Sequence, residues 1–160
     1  MPEEAVRNRL WIGNAWSDAD DGGTFATVNP ATGETITEVA SAQASDIDRA
    51  VVAARAAVDD GPWRSMSAHK RSTLLWKLAD AIEANADELG ALETADNGKP
   101  YFESRKVDLP SVVENFRYFA GLADKIQGET IPVTGPFLNY TLREPVGVVG
   151  CITPWNFPLS

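Results

Sequence analysis

Between residues 10 and 40 the apolar positions come in short clusters cut by glycine, asparagine and proline, a pattern of hairpins rather than helices. Leu10-Trp11-Ile12 and Ala15-Trp16 flank Gly13-Asn14, a two-residue turn signal. Residues 24–29 and 34–40 read as a second strand pair around Pro30-Ala31-Thr32-Gly33. Together they predict a small amino-terminal antiparallel sheet.

The period changes near Ser45, which precedes Asp46 and Asp48 and suits an N-cap at the positive end of a helix. Ile47, Ala50, Val51, Ala54 and Val58 then recur on one helical face until Gly61-Pro62. Leu74, Leu75, Leu78 and Ile82 predict a second helix over 68–85, and a third, short one covers 87–94. Pro100 opens a fourth. Pro110 starts or kinks a fifth carrying Val112, Val113, Phe116, Phe119 and Ala123, with Gly128 as a stop. Residues 131–143 return to extended structure through Pro132, Gly135 and Pro136. Helices bracketed by strands make the class α/β or mixed.

The richest stretch is residues 145–160. Residues 146–152 are short, apolar and β-branched, the composition of a strand buried on both faces of a parallel sheet. Pro154 and Pro158 then fix φ twice, so neither helix nor strand continues. Between them Trp155 and Phe157 can pack while Asn156 keeps two N–H donors to offer. A loop beyond the carboxyl end of a parallel strand is where open α/β sheets bind ligands. An asparagine beside a proline also simply closes turns.

Charge narrows the choices. Fourteen Lys and Arg against 23 Asp and Glu give a net charge of −9 with no basic cluster, which argues against a nucleic-acid partner. No run approaches the roughly 20 apolar residues of a membrane helix, and residues 1–9 hold no apolar core of a signal peptide. The single cysteine, Cys151, excludes an internal disulfide and fits a reducing compartment. A cytoplasmic protein is expected.

Four segments, in order, resemble the aldehyde dehydrogenase superfamily: Phe25-Ala26-Thr27-Val28-Asn29-Pro30-Ala31-Thr32-Gly33-Glu34, Leu92-Glu93-Thr94-Ala95-Asp96-Asn97-Gly98-Lys99-Pro100, residues 116–125, and Glu144-Pro145-Val146-Gly147-Val148-Val149-Gly150 followed by Pro154-Trp155-Asn156-Phe157-Pro158. The likeness covers most of residues 10–160 and implies much. Residues 1–160 would be the amino-terminal part of an NAD(P)-binding domain. They would hold a small antiparallel region, a helical bundle segment and the first strand of an incomplete Rossmann-like parallel sheet, with 131–145 an extended oligomerisation segment. The family's dinucleotide loop, nucleophilic cysteine and general-base glutamate lie further along than Ser160, so the catalytic domain is absent from this sequence.

For chemistry, the resemblance assigns Asn156 to the oxyanion that forms when a thiolate attacks an aldehyde. It places Ile152, Thr153, Pro154 and Trp155 along the nicotinamide end of an NAD or NADP site. It also sets Asp96 with the backbone of Thr27 and Val28 around a monovalent cation, since hard cations take oxygen ligands; residues 96–98 also read as a plain turn. The implied substrate is a small-molecule aldehyde, and the implied assembly a homo-oligomer, a dimer or tetramer.

Other residues read more plainly. Cys151 lies inside the apolar run, where a thiol is a small inert hydrophobe, and the sequence places no histidine to activate it. His69 falls on the first turn of a helix as a solvated group, and no carboxylate pair stands out as acid and base. Two functional readings remain open. One is an aldehyde-oxidising enzyme of which these 160 residues form an inactive amino-terminal part. The other is a non-catalytic assembly or regulatory piece that docks on a full-length relative by adding a strand to its sheet.

Overall fold

The computed structural model describes residues 8–160. Strands β1 (Leu10–Ile12) and β2 (Ala15–Ser17) pair antiparallel around Gly13 and Asn14. Both turn residues have positive φ, 59° and 64°, which matches the twist of a tight hairpin. Strands β3 (Thr24–Val28) and β4 (Thr35–Ala40) form the second expected pair, with a register shift between Thr27 and Val28. The two hairpins remain separate two-stranded sheets. A single small sheet was expected; among the described residues, a backbone bond from Ala40 N to Asn8 O at 2.8 Å ties the second hairpin to the segment leading into the first.

Helix α1 runs Ala44–Asp59 and starts earlier than the Ser45 cap predicts, because Gln43 is the N-cap. Asp46 reaches back one turn and its Oδ2 accepts from Gln43 N at 2.8 Å. The same buried carboxylate accepts from Asp20 N at 3.1 Å and pairs with Arg49, tying the start of α1 to the loop after β2. The expected apolar stripe of α1 is largely exposed, Ile47 and Val51 included. A single turn, α2 (Pro62–Ser65), follows.

The core sits where α3 (Ala68–Ala84) packs on α6 (Leu109–Leu122). Ala79 from α3 meets a buried face of Leu109, Val112, Val113 and Ala120. At the rim, Arg117 donates to Asp80 at 2.9 Å and to Glu83 at 2.6 Å. Between these helices in sequence comes α4 (Ala86–Asn97), longer than the expected 87–94, and ended by Gly98 at φ 78°. Short α5 (Tyr101–Glu103) leads without a break into a π-helical turn, Ser104–Asp108, and then α6. Pro110 lacks an N–H and crowds the carbonyl a turn before it, and the wider turn just upstream relieves that conflict. It also buries Ser104 and Asp108.

The helical stretch ends at Leu122, ahead of Gly128. Strands β5 (Thr130–Ile131) and β6 (Asn139–Tyr140) then make a third, exposed hairpin. Residues 146–152 differ from expectation. They form no strand, and Val146 and Ile152 are 89% and 98% exposed. A strand exists only through its ladder partners, and no described segment pairs with this run. The first strand of a parallel sheet is therefore not formed here, and the fold is α/β with small antiparallel hairpins around a helical body. Cys151, expected buried in that strand, is exposed for the same reason.

Candidate functional site

The turn that carries Asn156 is closed by Phe157 N, which donates to Pro154 O at 3.2 Å. A second turn follows, from Ser160 N to Phe157 O at 3.3 Å. Proline at 154 and 158 makes both turns stiff. Asn156 is exposed, and among the described residues no hydrogen bond occupies its amide. An unoccupied, rigidly carried N–H pair can donate to a developing negative oxygen. Ile152, Thr153, Pro154 and Trp155 precede it as exposed, irregular backbone, with Trp155 85% exposed. The amides and carbonyls of Ile152 and Thr153 enter no ladder among the described residues, so they remain open to a ribose or nicotinamide group.

Below this loop lies a cleft of about 220 Å³ between the β3–β4 hairpin and α4. Thr27 from the hairpin and Leu92, Glu93 and Asp96 from α4 line it, together with Pro158 and Leu159. The expected cation residues meet here in part. Thr27 Oγ1 donates to Asp96 Oδ1 at 2.9 Å across 69 positions of sequence. Val28 lies beside Thr27 where the register slips past Ile36 of β4, and it is half exposed. Asp96 belongs to the last turn of α4, so residues 96–98 are a helix end with a left-handed cap rather than a free turn. Among the described residues no group of three or more His, Cys, Asp and Glu side chains gathers to hold a metal.

Sequence reading missed a buried charged cluster. The inward stripe of α4 is Ala86, Gly90 and Glu93, spaced as one helical face. Glu93 is buried, and neither of its carboxylate oxygens makes a hydrogen bond. Lys99 Nζ lies 3.6 Å from Glu93 Oε1 and pairs closely with Asp108 on the π-helical turn. Burial pushes the Glu93 carboxyl above its ordinary range; Lys99 opposes that rise and Asp108 adds to it. The signal was available: a glutamate on the same face as Ala86 and Gly90 is a charge pointed into the protein. His69, by contrast, is exposed on the first turn of α3, as expected.

Known proteins share this sequence pattern and this fold. The sequence model of the aldehyde dehydrogenase family matches residues 16–160. This chain belongs to the aldehyde dehydrogenase family. It is 55% identical over 157 residues to the mitochondrial aldehyde dehydrogenase of Equus caballus, a match covering 98% of this chain and 31% of that protein. A mutant aldehyde dehydrogenase from Bacillus cereus superimposes with a TM-score of 0.92 at 50% identity, over 95% of this chain and 31% of that one. The NAD+ complex of an aldehyde dehydrogenase from Bacillus cereus gives a TM-score of 0.91 at 50% identity, over 94% and 31%. The chain thus spans about 31% of the length of these relatives. Among the described residues no helix is long and apolar enough to cross a membrane.

Proposed function

We propose that these residues form the amino-terminal portion of an NAD-dependent dehydrogenase that oxidises an aldehyde to a carboxylic acid. The observation that carries the reading is the stiff Pro154–Pro158 loop with an unoccupied Asn156 amide, within a chain that superimposes on an NAD+-bound relative. Ile152, Thr153, Pro154 and Trp155 would line the nicotinamide end of bound NAD, which would supply the hydride acceptor for oxidation of the aldehyde carbon. NADP serves the same chemistry, and the backbone of residues 152–155 does not distinguish the two.

Asn156 supplies the electrostatic part. When a thiolate from another part of the polypeptide adds to the aldehyde, the carbonyl oxygen gains negative charge. An amide N–H already aimed at that oxygen stabilises it without reorganisation, typically by about 2.7–4 kcal/mol. Ile152, Thr153, Pro154 and Trp155 hold the adjoining cofactor edge through backbone groups. Thr27, Val28 and Asp96 hold a monovalent cation, whose oxygen ligands would brace the β3–β4 hairpin against α4. The hydrogen bond between Thr27 and Asp96 supports that placement.

Residues 131–145 serve oligomerisation in this reading, as a dimer or tetramer. Their support is the β5–β6 hairpin, which carries exposed Phe137, Leu138 and Leu142. Cytoplasmic residence belongs to the same reading, supported by an exposed free cysteine that a reducing compartment would preserve.

The test is Asn156→Ala in the complete polypeptide that carries this sequence. Turnover should fall by roughly 10²–10³-fold, with NAD affinity nearly unchanged. A variant that turns over at the wild-type rate removes Asn156 from the mechanism.

A further inference from the structure

Lys99 joins the buried carboxylates to the loop that carries Asn156. Its side chain is 13% exposed, pairs closely with Asp108 and lies 3.6 Å from Glu93. Its ammonium also lies 3.7 Å from the centroid of the Phe157 ring, the residue next to Asn156. A cation at that distance over a ring face is attracted by the ring's quadrupole.

The cation is held in place from below. Two buried carboxylates need a counter-charge, so Lys99 cannot swing outward without leaving them unpaired. Its backbone is fixed too: Lys99 N donates to Asn97 Oδ1 at 2.8 Å, and left-handed Gly98 turns the chain between them. The run Asn97-Gly98-Lys99-Pro100 therefore ends α4, aims one ammonium inward and opens α5.

On the loop side, Phe157 and Asn156 share one tight turn, closed by the bond from Phe157 N to Pro154 O. Anchoring the ring therefore anchors the turn that carries the amide. Upstream, residues 146–152 join no ladder among the described residues. The Phe157 ring, with Pro158 and Leu159 over the cleft, ties the turn to the helical body.

We propose that Lys99 is a positioning residue for Asn156: it holds the Phe157 ring over its ammonium and so fixes the turn that aims the Asn156 amide at the reacting oxygen. This rests on the role given to Asn156 above. Lys99 itself touches neither substrate nor cofactor.

The experiment is a set of variants of the complete polypeptide, assayed for kcat and for KM toward NAD. Phe157→Leu removes the π face and keeps apolar volume; it should lower kcat by about 3- to 30-fold, with KM for NAD nearly unchanged. Phe157→Tyr keeps the face and should keep kcat. In an Asn156→Ala background, Phe157→Leu should cost nothing further, because the amide it positions is gone. Lys99→Met should repeat the Phe157→Leu loss, and the double variant should be no slower than either alone; if Lys99→Met does not fold, the two Phe157 variants decide. Wild-type kcat in Phe157→Leu overturns the proposal, as does an equal loss with and without Asn156. If Asn156→Ala is itself at wild-type speed, the role of Asn156 falls and this proposal with it. A slow Asn156→Ala beside a fast Phe157→Leu removes only Lys99.

Discussion

At the scale of single residues, two positions show how much local chemistry the site needs. Asn156 works only if its amide N–H groups are left unoccupied, and the flanking prolines contribute by fixing φ and keeping the turn that carries it stiff. Gly98 works by having no side chain. Its φ of 78° is left-handed, and a Cβ there would lie 2.8 Å from Pro30 Cγ. Gly98→Ala should therefore destabilise the protein by about 1–2 kcal/mol from backbone strain alone, with more from the contact. Gly98→Asn should lose less, because asparagine tolerates the left-handed region. Thermal unfolding of both variants checks this; an alanine variant as stable as wild type would contradict it. Asn156 was legible in the sequence because prolines and aromatics bracket it. Lys99 was not, since its partners Glu93 and Asp108 lie 6 and 9 positions away on different helical turns. Only the packing of α4 against the π-helical turn brings them together.

Elements were legible where the deciding interaction is local. The Gly13-Asn14 turn, the β3–β4 pair, and helices α3 and α6 follow from turn chemistry and apolar period, both contained in a few neighbouring residues. The start of α1 was misplaced because its cap is set by Asp46 reaching back to Gln43 N, with a further bond from Asp20 N. The missing strand at 146–152 is the opposite case, since its ladder depends on segments distant in sequence. The Asp46 anchor has a pH signature. The hydrogen bond from Gln43 N, assisted by Arg49 and Asp20, holds its carboxyl below the ordinary aspartate range despite burial. A depressed folded pKa adds stability that is present above the unfolded value, near 4, and is lost as pH falls through the folded one. Asp46→Asn should then be less stable than wild type at neutral pH, and the gap should close as the pH drops below about 4. A gap that stays constant from neutral pH to pH 3 would show that the charge of Asp46 contributes nothing.

On the scale of the whole molecule, surface area is the decisive quantity. The chain exposes 11730 Å², whereas a self-contained globule of this mass exposes about 7,800 Å². Exposed apolar side chains include Ile47, Val51 and Val52 on α1, Phe137, Leu138 and Tyr140 at the β5–β6 hairpin, and Val146, Val149 and Ile152 in the unpaired run. Surfaces of that kind mark interfaces, and a strand-like run without neighbours calls for a sheet to join. The family match covers residues 16–160, on relatives of which this chain spans about 31%. The proposed function has these residues work as part of a larger aldehyde-oxidising polypeptide. The most direct measurement compares aldehyde-dependent NADH formation by residues 1–160 alone with that by the complete polypeptide carrying them. The account predicts turnover from the complete polypeptide and none from the 160 residues. NADH formed by residues 1–160 alone, or none formed by the complete polypeptide, would contradict it.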